Sequence, residues 1–151
     1  MRDLLMETFY EWSKRPYQKW FKKQQPWKHS TTDLLKLPMN SLGFHLACFL
    51  LKYDFDLQPK LEDHDVFHVL TNTGISVTDE ISMQYYLLGN GKRSTYMFLV
   101  IFLGTFMYPD KYKHFRIAYR KGKTALPFYH LDFSKMLSLP LKRIRTTYLI
   151  F

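Results

Sequence analysis

The sequence predicts an all-α fold, a single-domain bundle of about six or seven helices formed by residues 1–151. Apolar residues recur at helical spacings, capping and helix-breaking residues separate the segments, and no alternating strand pattern exceeds a few residues. The 151 residues are 46% hydrophobic, which is enough to build one buried core. No segment has the simple composition of a disordered tail or a fibrous repeat.

Two short helical segments are predicted before Ser41. Residues 2–14 form the first, which Pro16 ends or kinks. A short turn over residues 33–37 follows and stops at Pro38, because the residue before a proline is disfavoured in the helical region. The apolar positions that give the first segment its helical spacing are Leu4, Leu5, Phe9 and Trp12.

The next two helices have clear local signals. Ser41 is a suitable N-cap for a helix through about Lys52, since its hydroxyl can accept a free amide hydrogen of the first turn. Cys48, the single cysteine, lies in an apolar run of this helix and is interpreted as a small core residue. The following helix begins near Lys60 and is broken by Asn72-Thr73-Gly74.

A further helix is expected from Thr78 through Leu88, where the turn-forming string Gly89-Asn90-Gly91 stops it. Asp79, near its start, is interpreted as an acid that the helix dipole favours. The alternative role for Asp79 is that of an acid or base beside a catalytic centre.

An apolar helix is predicted over residues 94–107 and ends at Pro109. It belongs to an uncharged run over residues 96–108, which is shorter than the roughly 20 residues that a membrane-crossing helix needs. Such a run is typical of a buried central helix. A role in lining a lipid tail or lying at a membrane interface is the alternative.

The last elements begin with a basic helix over residues 110–121, which Gly122 is expected to close. Asp132 or Pro140 can start the final pieces. The basic helix alternates cationic with aromatic and apolar residues, a pattern that suits an anionic membrane surface as well as a solvated face.

The formal charge of +9 is concentrated in the second half of the chain. Residues 1–75 carry 10 basic and 9 acidic side chains, whereas residues 76–151 carry 12 basic and 4 acidic ones. A surface of this kind attracts phosphates on lipids, nucleic acids or metabolites. Nucleic acid is not the expected partner, because the sequence contains no recognised reader motif.

A pair of histidines is the first candidate for chemistry. His64 and His68 are four residues apart, so a helix would place both imidazoles on one face, where a single ion can bridge them. Asp65 lies between them and could reach either the ion or the far nitrogen of a ligand histidine. Surface histidines on a polar face would show the same spacing.

A carboxylate from the next helix could complete the site. If the chain reverses at residues 72–74, Glu80 returns toward the two histidines. The mixed nitrogen and oxygen set of His64, Asp65, His68 and Glu80 suits zinc, iron, manganese or cobalt, and ligand types alone do not select one.

The spacing of these residues resembles a known signature. His64-Asp65-x-x-His68, followed after eleven residues by Glu80, is similar to the motif of the coenzyme Q biosynthesis protein four family. Residues 35–43 resemble that family's Leu-Pro then Ser-Leu-Gly string at a helix start, and the resemblance covers about residues 33–150. The chain departs from the family pattern at Phe44, Asn72 and Asp79, which leaves the identity of the substrate open.

The resemblance implies an α-helical protein that binds a divalent metal, with zinc as the first choice, through His64, Asp65, His68 and Glu80. It implies work in ubiquinone synthesis on a polyprenylated aromatic ring, by oxidative decarboxylation at ring carbon one or by organising the other biosynthetic enzymes. If the chain is an enzyme, it is a metal-dependent decarboxylase or hydroxylase with Asp65 and Glu80 as catalytic candidates.

The expected partners are an isoprenoid lipid or quinone precursor, other quinone-biosynthesis proteins, a membrane surface and a second copy of the chain. The acidic residues near the N-terminus do not fit a targeting signal, so we expect a cytoplasmic protein, peripheral on the inner face of a bacterial membrane.

Two alternatives to a metal-dependent enzyme of ubiquinone synthesis remain. The first is a non-catalytic isoprenoid-binding scaffold whose metal is structural. The second is a His-Asp phosphohydrolase, which would need a further upstream histidine, His29 or His45, and a downstream acid such as Asp110.

Overall fold

The computed structural model describes residues 1–5, 8, 26–59 and 61–151, and in these residues the chain is helical and has no β-strand. A single antiparallel bridge joins Ser41 to Pro140. These observations confirm the predicted all-α class. The helices are α1 (Thr31–Leu35), α2 (Leu42–Lys52), α3 (Glu62–Thr71), α4 (Val77–Gly89), α5 (Thr95–Met107), α6 (Tyr112–Thr124) and α7 (Leu141–Tyr148), with 3₁₀ segments at Pro109–Lys111 and Phe133–Lys135.

Residues 2–5 are helical, but most of the predicted first helix and its end at Pro16 lie outside the described residues. The predicted turn over residues 33–37 is α1, which begins earlier because Ser30 forms a capping box with Asp33.

Polar caps define where the central helices begin and end. The hydroxyls of Ser41, Ser76 and Ser94 accept amide hydrogens in the first turns of α2, α4 and α5. Asn72 adopts the left-handed conformation that ends α3, as the predicted break requires. Asp79 completes a capping box with Ser76, so its contacts support the interpretation as a helix-start acid.

The helices enclose one main core and a smaller apolar cluster. The main core packs α2, α3 and α4 against the segments that follow α6, with Phe67, Phe128 and Phe133 among its largest members. The smaller cluster lies between α4, α5 and α6 and contains Val77, Ile81, Val100, Tyr108 and Phe115. Because α4 contributes to both clusters, it is the central helix of the described part of the chain.

The prediction that Gly122 closes the basic helix is wrong, because α6 continues to Thr124. Gly122 is buried inside the helix, and a Cβ atom there would overlap the carbonyl oxygen of Tyr86 on α4. A Cβ at Gly89 of α4 would likewise overlap the carbonyl of Tyr119. The two glycines therefore allow the backbones of α4 and α6 to approach closely.

The buried side-chain amide of Asn90, just after α4, forms hydrogen bonds with the backbone at the end of α6 and just beyond it. Its Nδ2 donates to the carbonyls of Gly122, Ala125 and Leu126 at 3.4, 3.3 and 3.0 Å. Its Oδ1 accepts the amide hydrogen of Phe128 at 2.9 Å. Asn90, which was predicted as a turn residue, therefore also supplies hydrogen-bond partners to backbone groups at the end of α6 and in the segment that follows.

Helix α5 differs from the predicted buried helix. Met97, Val100 and Gly104 are buried, but Phe102 and Phe106 are 70% and 80% exposed. In the described residues no helix combines the length and apolar character needed to cross a bilayer. The prediction was wrong because an uncharged sequence does not indicate how many sides of a helix the fold covers.

Cys48 is also placed differently from the prediction. It is exposed on α2, although its neighbours Leu46, Ala47 and Leu50 are buried. The helical repeat turns position 48 away from the core that these neighbours face.

Replacing Tyr86 by phenylalanine is expected to stabilise the protein. The Tyr86 hydroxyl is buried and has no hydrogen-bond partner in the described structure, so its removal should raise the free energy of unfolding by about 1 kcal/mol. Burial raises the pKa of Tyr86 from 10.0 to about 12, so the wild type should lose stability as the pH rises from 10 toward 12. Tyr86→Phe should remove that loss, which urea unfolding at several pH values would measure.

Tyr85→Phe is the matched control, because the Tyr85 hydroxyl does have a partner, Thr105, at 2.6 Å. This variant should lose stability. A loss of stability in Tyr86→Phe would contradict the prediction.

Candidate metal centre

The turn between α3 and α4 brings three potential metal ligands together. His64 and His68 occupy successive turns of α3 and share one face. The chain then reverses at residues 72–76, and Glu80 lies in the first turn of α4. One ligand atom from each of the three residues lies within 4.8 Å of the others, as the sequence predicted for this trio.

The ligand atoms are spaced as a small ion requires. His68 Nε2 lies 2.8 Å from Glu80 Oε1 and 3.2 Å from His64 Nε2, and His64 Nε2 lies 3.4 Å from Glu80 Oε1. Two donors bound to one zinc ion at 2.0–2.1 Å and a tetrahedral angle are about 3.3 Å apart. A single ion between the three atoms therefore fits this spacing with small adjustments.

The surroundings of His68 prepare its Nε2 to bind a metal. Its Nδ1 lies 3.3 Å from the carbonyl oxygen of Thr73 and can donate its hydrogen there, so that an ion could take the place of the hydrogen that Nε2 directs at Glu80. The ring stacks on Phe49 with centroids 5.4 Å apart and an interplanar angle of 18°. The Thr73 carbonyl and the Phe49 ring thus orient the His68 imidazole.

His64 is the most solvent-exposed of the three residues. The His68 side chain is 2% exposed and Glu80 is 18% exposed, whereas His64 is 33% exposed. A small molecule would approach the three donors from the His64 side.

Electrostatic coupling within the trio shifts two pKa values. Burial disfavours the ionised form of Glu80, but the interactions with His64 and His68 outweigh it and hold the pKa of Glu80 well below its usual range. Burial also opposes the charged form of His68, yet Glu80 and the nearby charge of Asp65 raise the pKa of His68. The trio therefore favours a cation, whether a proton on His68 or a metal ion.

Asp65, the fourth predicted ligand, lies outside this three-donor group. The helix turns it about 100° away from His64, which removes it from the face that the two histidines share. Its charge still acts on His68 and contributes to the raised pKa of that imidazole.

The extra residues that a His-Asp phosphohydrolase needs are not brought to the site. In the described part of the chain, the potential metal-binding group contains neither His29, His45 nor Asp110. His29 and His45 are exposed, and Asp110 pairs with Arg2 at 2.9 Å. These positions do not support the phosphohydrolase alternative.

Arg145 supports the site from the far end of α3, which sequence reasoning missed. Its guanidinium donates to the carbonyls of Val69 and Leu70 at 2.6 and 3.0 Å. These carbonyls lie in the last turn of α3 and lack partners within the helix. The contact spans more than 70 residues of sequence, so no local signal could have predicted it.

Comparisons with known proteins identify a shared fold. No protein-family profile and no curated protein sequence matches this chain. The chain is similar to the crystal structure of a proposed ubiquinone biosynthesis protein from Nostoc punctiforme, with a TM-score of 0.69 and 18% sequence identity. The match covers 97% of this chain and 80% of the Nostoc chain. At this identity the likeness shows that the two proteins have the same fold.

Proposed function

We propose that this protein binds one divalent metal ion through His64, His68 and Glu80 and works in ubiquinone biosynthesis. The observation that carries the proposal is the convergence of three ligand atoms at separations of 2.8, 3.2 and 3.4 Å. The fold shared with the Nostoc punctiforme protein supports the pathway, as does the resemblance of the ligand spacing to the coenzyme Q signature.

The substrate class that we propose is a polyprenylated aromatic ring. A bound divalent ion would polarise a carboxylate or phenolate oxygen on such a ring. His64 borders the solvent-exposed side, so the ring would approach there, while Phe49 and Thr73 hold His68 in place. The proposed reaction replaces the carboxylate at ring carbon one by a hydroxyl: the carboxylate leaves as carbon dioxide, water supplies the hydroxyl oxygen, and a separate two-electron oxidant accepts the two electrons that are released.

The donor count favours a catalytic ion over a structural one. Structural zinc is usually closed by four protein ligands, whereas catalytic zinc has three and keeps a position for water or substrate. Among the described residues, three donors converge here and Asp65 is not one of them. The alternative function, a lipid-binding scaffold with a structural metal, would require a fourth protein ligand beside these three.

Metal analysis tests the site directly. Protein purified after incubation with zinc and desalting should contain about one ion per chain, and His68→Ala and Glu80→Gln should each lower this content at least tenfold. Asp65→Asn should retain most of the metal, because the Asp65 carboxylate lies outside the group of three donors. His114→Ala, at an exposed histidine of α6, is the matched control. Equal metal content in all variants would reject the site.

Analysis of bound lipid tests the substrate class. Organic extracts of the purified protein should contain prenylated hydroxybenzoates or quinones by mass spectrometry, and Glu80→Gln should retain them if the ion acts in turnover. A loaded metal site without any prenylated ring would contradict the proposed pathway and leave the metal site intact.

A further inference from the structure

Helix α5 presents an apolar surface, which we call the α5 face. Its members are Phe98, Phe102 and Phe106, which recur four residues apart on one side of the helix, and Leu99, which lies beside them. Their exposed fractions are 47% for Phe98, 43% for Leu99, 70% for Phe102 and 80% for Phe106. A contiguous exposed patch of large apolar side chains marks a binding surface more often than a chance arrangement.

Contacts with α4 on the opposite side of α5 keep the α5 face exposed. On the opposite side of α5, a Cβ atom at Gly104 would come within 2.7 Å of Ile81 on α4, so the two helices are in close contact. The Thr105 hydroxyl also lies 2.6 Å from the Tyr85 hydroxyl of α4. Rotation of α5 to bury its phenylalanines would break both contacts.

The strongly basic helix α6 packs on α4, the same helix that α5 packs on. Tyr85 contacts both helices, because its hydroxyl meets Thr105 of α5 and its ring stacks on Phe115 of α6 with centroids 5.4 Å apart. The 3₁₀ segment and α6 display six exposed cations, and none of them forms an ion pair with another described residue. These cations are Lys111, Lys113, Arg116, Arg120, Lys121 and Lys123.

The charge selects the occupant of the face. A second copy of the chain carries the same formal charge of +9, and this like charge would oppose the contact. An anionic lipid surface supplies both an apolar layer for phenylalanine and phosphates for lysine and arginine. At 1.5 Å per residue, α5 is about 20 Å long, which is too short to span the hydrocarbon core of a bilayer.

We propose that α5 lies in the plane of an anionic membrane, with the α5 face inserted at the headgroup boundary and the cations of α6 against the lipid phosphates. This inference specifies how the chain would meet the membrane and does not depend on the metal site. It assigns the insertion to α5, whereas the sequence pointed to the basic helix alone.

Vesicle flotation tests the proposal on the full chain. The probes are vesicles of phosphatidylcholine alone and of phosphatidylcholine mixed with phosphatidylglycerol. Wild-type protein should float with the mixed vesicles, and Phe102→Ser/Phe106→Ser should lower the partition coefficient at least tenfold, because two large apolar side chains are withdrawn from lipid. Met39→Ser, at an apolar residue 77% exposed before α2, is the matched control and should bind like wild type.

A second pair of variants tests the electrostatic part. Arg116→Gln/Arg120→Gln should weaken binding to the mixed vesicles by about fivefold per charge, and salt should weaken the binding of wild type in the same direction. Both positions are exposed, so the variants should fold. Binding to both vesicle types without any effect of charge or salt would contradict the role of α6.

Three results would overturn the docking of α5 on lipid. The first is unchanged flotation in Phe102→Ser/Phe106→Ser. The second is the conversion of a wild-type dimer to a monomer by these substitutions, measured by light scattering, which would assign the face to a second copy. The third is a much larger loss of thermal stability than in Met39→Ser, which would show that the chain itself covers the face.

Discussion

Zinc added to metal-free protein is expected to raise the free energy of unfolding by about 3 kcal/mol when its concentration is about 100 times the dissociation constant. The reason is that the ligand atoms of His64, His68 and Glu80 meet only when α3 and α4 are folded against each other. An ion that binds this arrangement and not the unfolded chain stabilises the native state. Urea unfolding at several zinc concentrations measures the effect.

His68→Ala should abolish this stabilisation. Its side chain is 2% exposed, and its Nε2 is the ligand atom closest to Glu80, at 2.8 Å. His114→Ala should retain the full response, because His114 is exposed on α6 and lies outside the trio. If zinc stabilised His68→Ala as much as wild type, the ion would be bound elsewhere.

The increase in the free energy of unfolding that zinc produces should become larger as the pH rises above 6.5. The pKa of Glu80 is lowered from 4.5, so its contribution to metal-free stability is present above pH 4.5 and is lost as the pH falls through the folded-state pKa. The pKa of His68 is raised from 6.5, so its contribution is complete below pH 6.5 and is lost as the pH rises through the folded-state pKa. Since zinc competes with that proton, its stabilisation should be larger at pH 7.5 than at pH 5.5.

Local signals predicted the ends of the helices well. Ser41 begins α2 because a serine hydroxyl can accept an amide hydrogen that has no partner in the first turn. Asn72 ends α3 because it tolerates the left-handed conformation. In each case a few neighbouring residues determine where the helix begins or ends, so the local sequence is sufficient to predict it.

The candidate site was predictable to the extent that it depends on helical spacing. The i and i+4 spacing placed His64 and His68 on one face, and the break at Asn72 predicted the return of Glu80. Asp65 is adjacent in sequence but lies on a different side of the helix, so it does not join the group. Thr73 and Phe49 act through packing that spacing does not encode.

Contacts between distant helices were the part that sequence patterns could not predict. The apolar composition of α5 indicates a helix that avoids water, but not that only one side would be covered. Gly122 looked like a helix end because glycine is common there. Its actual role depends on where α6 crosses α4, which is a property of the assembled fold.

Gly122→Ala is expected to destabilise the protein by about 3 kcal/mol, the upper end of the usual cost of overpacking a core. The added methyl group would overlap the carbonyl oxygen of Tyr86, which is backbone and cannot move away as a flexible side chain could. The helices would have to separate where Asn90 also bonds to the Gly122 carbonyl. Urea and thermal unfolding would measure the loss.

The direction of the stability change in Gly122→Ala distinguishes a close contact between α4 and α6 from an effect of helix propensity. Alanine is favoured over glycine by about 1 kcal/mol within a helix, so propensity alone predicts that Gly122→Ala is stabilising. Lys123→Ala, at the exposed neighbouring position, is the control for propensity and should change stability by less than about 0.5 kcal/mol. A higher melting temperature in Gly122→Ala would mean that α4 and α6 are not in close contact at this point. A large loss in Gly122→Ala beside an unchanged Lys123→Ala requires that contact, which also positions α4, the helix that carries Glu80.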